Sequence, residues 1–279
     1  MDQKTLARLK TWFNAYAASF SFPDEKDREN IRLKQEHTQR VCGNIVHIAR
    51  EERFDDADVK LAETVALLHD IGRFPQYETW RTYRDGDSTD HARLGVRVLR
   101  DRRILDGMPL RERRIVLAAV GLHNVFVLDP RLDRDVARYL RMVRDADRID
   151  IWRVAAELYR KRRDQWPSAL GLGLNDAPER TPEILALLGK RSAVPSALVR
   201  TVTDYKLLQL AWLFDLSFPA SYRIAVEQGH FEEIAEGLPR DAEIESVLAS
   251  IRAHVRARVE RNDAGNAEAG GTGTGGPIA

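Results

Sequence analysis

The chain has 279 residues, long for one domain but able to fold as one, with enough length to bury a substantial core. Lys+Arg and Asp+Glu nearly cancel, 44 against 43, so no global field exists to recruit nucleic acid or an anionic membrane. The single cysteine, Cys42, excludes an internal disulfide framework; the opening MDQKTLARLK lacks a signal-peptide core, and no apolar run nears the roughly 20 residues of a membrane span, so a soluble cytoplasmic protein is predicted.

Apolar residues recur at three- and four-residue spacing and strand-like alternation is scarce, which predicts an all-α fold. A first helix is expected over 4–20 and a second, opened by Pro23, to about Arg53. A third is capped by Asp56 or Asp58 and ends near Gly72. Arg73 to Thr89 reads as a loop, with Gln76, Tyr77, Trp80 and Tyr83 packing it or stacking on a base. Helices follow over 89–105, 110–123 and 133–163. The Gly/Pro-rich SALGLGLNDAPERTP then breaks the pattern, as a connector or a loop over a site. Helices resume over 182–189, 196–215, 218–229 and 240–261, and the low-complexity tail 263–279 is expected to be disordered. Residues 1–262 read as one domain.

Helical phase determines which side chains can meet. His37 extends the stripe Val41, Ile45, Ile48, and Val65 and Leu68 lead into His69-Asp70. His91 shares a face with Leu94, Gly95 and Val98, and Gly95 would let another backbone come close. His123 follows Leu117 and Val120, while Asp147 lies among Leu140, Val143, Ile151 and Val154. One buried neutral histidine is ordinary. Four, with two carboxylates, are not, because an unpaired buried carboxylate is very costly. A metal cation removes that cost for all six together. His47, His230 and His254 lack such company and read as structural or surface residues, and Cys42 reads as core.

The order His37, His69-Asp70, His91, His123, Asp147 resembles the HD-domain superfamily of metal-dependent phosphohydrolases. LLHDIGRF is similar to its HDIG-type motif and VRDADRID to the stretch around its last aspartate. The resemblance spans about 30–155; residues 156–262 carry no assignable chemistry. It implies a compact helical bundle around a buried metal site. His37, His69, Asp70 and Asp147 would hold a first metal, and Asp70, His91 and His123 a second. One or two ions of Mn, Fe, Co, Ni or Zn suit imidazole and carboxylate ligands, and two would clamp a phosphoryl group and activate a water. The expected substrate is a small phosphorylated molecule: a nucleotide, a cyclic nucleotide or another phosphomonoester. Asp70 and Arg73 would be catalytic, with Arg73 and Arg148 on the phosphate; Lys206 is a weaker candidate. His123 is followed by Asn124 rather than a second histidine and no GYP segment follows, which argues against cyclic-di-GMP cleavage. Two other readings stay open: a di-iron oxygenase on the same ligands, and a metal-free binding module. Oligomeric state has no signal in the sequence.

Overall fold

The computed structural model describes residues 1–167, 174–177 and 179–270, the last ten of these for backbone alone. Among them the fold is all-α, with no strand. The chain divides into two compact units, Met1–Asn175 and Asp176–Ala279.

The first unit contains α1 (Gln3–Ala18), α2 (Glu25–Glu51), α3 (Asp56–Leu68), α4 (Arg73–Trp80), α5 (His91–Asp101), α6 (Leu110–Leu122) and α7 (Arg134–Tyr159). Asp side chains start many of them by accepting backbone N–H groups: Asp24 for α2, Asp55 for α3, Asp90 for α5 and Asp133 for α7. The cap of α3 is thus Asp55, one residue before the expected pair. α3 is the centre of the unit. Val59, Leu61, Ala62 and the whole run Thr64–Leu68 are buried, and α1, α2, α6 and α7 pack around it. The run Thr64–Leu68 is buried on every side, as expected for a segment inside a bundle.

The expected loop 73–89 is instead the helix α4 followed by a short 3-10 turn at Asp85–Asp87. Turn residues masked the periodicity there. Phe74 packs against Phe13, Tyr16 and Phe20, and Tyr77 packs against Phe22 and Tyr83, so the aromatics fasten α4 to the core. Gln76, Tyr77 and Tyr83 are buried in this packing, and Trp80 is exposed.

The second unit holds α8 (Pro182–Gly189), α9 (Val202–Ala211), α10 (Pro219–Gln228), α11 (His230–Glu236) and α12 (Ala242–Gly270). The predicted helix 196–215 is shorter, flanked by 3-10 turns at Ser196–Leu198 and Trp212–Phe214, and α11 lies where no helix was expected. Buried Asp204 closes a capping box with Thr201 and also accepts from Thr181 and Arg200, joining the starts of α8 and α9. α12 runs past residue 263, where the tail was expected to begin; 271–279, and 168–173 and 178 of the expected Gly/Pro-rich loop, lie outside the described residues. No helix among the described residues is long and apolar enough to cross a membrane.

One close approach positions the turn that carries His69-Asp70. A Cβ on Gly72 would lie 2.1 Å from the carbonyl oxygen of His91 and 2.6 Å from the nitrogen of Gly95. Gly95 thus lets a backbone come close, as its place on the stripe predicts. Gly72→Ala is expected to lower stability by about 1–3 kcal/mol through this overlap. Gly43→Ala, mid-helix with nothing within 4 Å, should raise it by about 0.5–1 kcal/mol. Denaturant unfolding checks both; a neutral Gly72→Ala would contradict the packing.

Candidate metal centre

Five helices deliver six side chains to one point. His37 projects from the middle of α2 and Asp147 from α7, while His91 is the first residue of α5. His69-Asp70 and His123 follow the last residues of α3 and α6. A helix end leaves carbonyls unpaired, and both histidines use one three residues back. His69 Nδ1 lies 2.7 Å from Ala66 O, and His123 Nδ1 lies 2.9 Å from Val120 O.

Carboxylates hold the other two rings. His37 Nδ1 is 2.6 Å from Asp150 Oδ2 and His91 Nδ1 is 2.7 Å from Asp85 Oδ2. Each of these acceptors requires a proton on Nδ1, so in the neutral ring the lone pair sits on Nε2. All four Nε2 atoms point inward. Those of His37 and His69 find no hydrogen-bond donor or acceptor of satisfactory geometry.

What they face is other acceptors. Asp70 Oδ2 lies 3.7 Å from His37 Nε2 and 3.6 Å from His69 Nε2. Asp147 Oδ1 lies 3.0 and 3.7 Å from the same two atoms. Asp70 Oδ1 turns the other way, 3.4 Å from His91 Nε2 and 3.6 Å from His123 Nε2, which are themselves 2.9 Å apart. His37, His69 and Asp70, and separately Asp70, His91 and His123, are placed so that each trio could hold an ion. The donor set and its inward lone pairs therefore fit a metal.

The electrostatics agree. Burial raises the Asp70 pKa, but Lys34, His69, His123 and Arg73 outweigh it and hold the carboxyl well below its usual range. Asp147 is likewise held well below by His37 and His69 against its burial. His37 is pushed down by burial and by Lys34, yet Asp147 and Asp150 carry it above the usual histidine value. His91 is driven down to about 4, first by burial and then by Arg73.

Sequence reading did not identify the supporting shell. Asp150 accepts from Arg40 Nε at 2.7 Å and Arg153 Nε at 2.9 Å as well as from His37, and is lowered to about 2 despite burial. Its signal was available, since Asp150 lies three residues beyond Asp147 on the same helix. Asp85 had none, lying in the supposed loop. Arg73, expected to contact the phosphate, lies behind His91 and beside Asp70. Its Nη1 donates to Gln76 Oε1, Tyr83 O and Asp85 Oδ1 at 2.6–2.9 Å and so anchors the carboxylate behind His91. Its Nε stands 3.5 Å from Asp70 Oδ1. Arg148 is half-buried next to Asp147. Lys206 donates to Gly237 O at 2.7 Å within the second unit. His47 is exposed, His230 faces Glu233 and His254 faces Tyr222. Buried Cys42 has its thiol pushed up to about 12 and is no ligand.

The HD domain family model matches residues 35–152. No curated protein and no solved structure matches the chain.

The His91 shift sets a pH dependence for chelator-treated protein. Its folded pKa lies below the unfolded value of about 6.5, so the unfolded chain takes up the proton first. The stability due to neutral His91 is present above pH 6.5 and is lost as pH falls toward 4. His37 acts in the opposite sense, so the comparison with His91→Gln isolates the effect. Melting temperatures from pH 7.5 to 4 should fall less steeply for His91→Gln than for wild type; equal slopes would contradict the assignment.

Proposed function

We propose, from the match of residues 35–152 to the HD domain family model, that the protein is a metal-dependent phosphohydrolase with a two-metal centre. The observation that carries this reading is the division of the Asp70 carboxylate, one oxygen toward His37 and His69 and the other toward His91 and His123. In this reading His37, His69, Asp70 and Asp147 would hold one ion, and Asp70, His91 and His123 would hold the other. Imidazole and carboxylate donors without a thiolate suit Mn, Fe, Co, Ni or Zn. Bound metal would supply charge neutralisation and an activated water.

Phosphoryl transfer asks a protein mainly for positioning and electrostatics, and the chain's own residues provide the positioning. Asp150, Asp85 and the carbonyls of Ala66 and Val120 fix the tautomer and orientation of the four rings. Arg73 and Gln76 hold Asp85 in turn. Arg144, buried in α7, donates to His123 O at 2.9 Å and to Val125 O, fixing the backbone beyond α6. Arg148 is the cation on α7 proposed to meet the substrate. That substrate is a small phosphorylated molecule.

Elemental analysis of protein purified without oxygen, with assays on phosphomonoesters, nucleotides and cyclic nucleotides, tests this. Wild type should carry about two metals per chain and hydrolyse part of the panel. Asp70→Ala should lose both metals and all turnover, while His91→Ala keeps about one metal. Full metal content and turnover in Asp70→Ala would overturn the site. Mixed-valent iron with no phosphoester cleaved would replace hydrolysis by oxygenase chemistry.

A further inference from the structure

α2 brings a second functional group to the centre besides His37. Lys34 lies one turn earlier, with its side chain only 14% exposed. Its ammonium donates to Asp70 Oδ2 at 2.7 Å, the oxygen that faces His37 and His69. The ring of Tyr83 also lies by it, 5.3 Å from Nζ to the centroid. That ring is fixed by a hydrogen bond from its hydroxyl to Asn30 O.

Several other cations nearby serve protein acceptors, although the Nε of Arg73, 3.5 Å from Asp70 Oδ1, has no hydrogen-bond partner of its own. Arg73 Nη1 serves three acceptors. Arg40 and Arg153 both donate to Asp150, and Arg144 holds backbone carbonyls. An ammonium has three N–H donors. One carboxylate oxygen and one ring face do not exhaust them, so Lys34 keeps donor capacity beside the Asp70 carboxylate.

We propose that Lys34 is an anion-binding residue of this centre in addition to Arg148, its ammonium donating to an oxygen of a phosphoryl group seated at Asp70. The inference rests on the phosphohydrolase reading and deepens it. A compact charge on a flexible stem imposes no planar, two-pronged geometry on its ligand, unlike a guanidinium. It suits the tetrahedral terminal group of a phosphomonoester. Lys34 also lies in the sequence one turn before a candidate ligand, so the same helical phase that aims His37 inward aims the ammonium there.

The alternative is a purely structural ion pair that keeps Asp70 in place. Inorganic phosphate binding to Mn-loaded wild type, Lys34→Gln and Lys34→Arg separates the two, with metal per chain measured on each. Lys34→Gln retains a donor for Asp70 while removing the charge. We expect its metal content to match wild type and its phosphate affinity to fall about 10- to 100-fold, the loss of one hydrogen bond to a charged group. In phosphomonoester assays KM should rise by a similar factor, and Lys34→Arg should recover part of both. Unchanged phosphate affinity in a metal-replete Lys34→Gln would overturn the Lys34 role and leave the hydrolase reading standing. Loss of metal from Lys34→Gln would assign Lys34 to structure and overturn the proposal. Metal-loaded wild type that neither binds phosphate nor cleaves any phosphoester would overturn both.

Discussion

Acceptors face acceptors at the centre of the first unit, and the surrounding structure is arranged to keep them so. Each of the four imidazoles has Nδ1 against a carbonyl or carboxylate, which turns the Nε2 lone pair inward. There the lone pairs meet two carboxylates and one another, at 2.9–3.7 Å. Such a cluster buried without cations would be strongly destabilising. Protons relieve it in part, which is the physical meaning of the raised His37 pKa. Divalent ions relieve it more completely, since one ion serves several donors at once.

Everything around the cluster reads as support for that geometry. The buried C-terminal half of α3 can end at the centre of the unit because the ring of His69 takes one of its last carbonyls, that of Ala66. α6 repeats the device with Val120 and His123. The outer carboxylates carry their own counter-charges, Asp150 between Arg40 and Arg153, and Asp85 against Arg73. The glycine contact at Gly72 and Gly95 brings the turn after Asp70 against the start of α5, so that His91 and Asp70 can share a site. A buried network of this kind is stable when every member is satisfied and costly when any one is removed.

Much of this was legible from helical phase. A side chain extending an apolar stripe must point where the stripe points, which placed all six candidate ligands before any coordinates. The missing parts had other causes. α4 was hidden because turn-forming residues and aromatics outweighed its short periodicity, and Asp85 was hidden with it. Asp150 was in view but an aspartate near several arginines has many surface explanations. Arg73 showed only its charge, and its commitment to Tyr83 O and Asp85 depends on how α4 folds back. Lys34 shares a face with His37, yet a lysine on a helix is normally solvated, and only the tertiary approach of Asp70 reveals its place. Among its described residues the second unit has a core and well-formed caps, but no chemistry that the sequence or the fold makes specific.

The central claim is that the two oxygens of Asp70 serve two separate ions. Anomalous diffraction from crystals of the Mn-loaded protein tests it directly. The account predicts two peaks per chain, one beside Oδ2 within reach of His37, His69 and Asp147, the other beside Oδ1 within reach of His91 and His123, roughly 3.5–4 Å apart. A map with no peak at Asp70, or with ions bound only elsewhere on the chain, would contradict it.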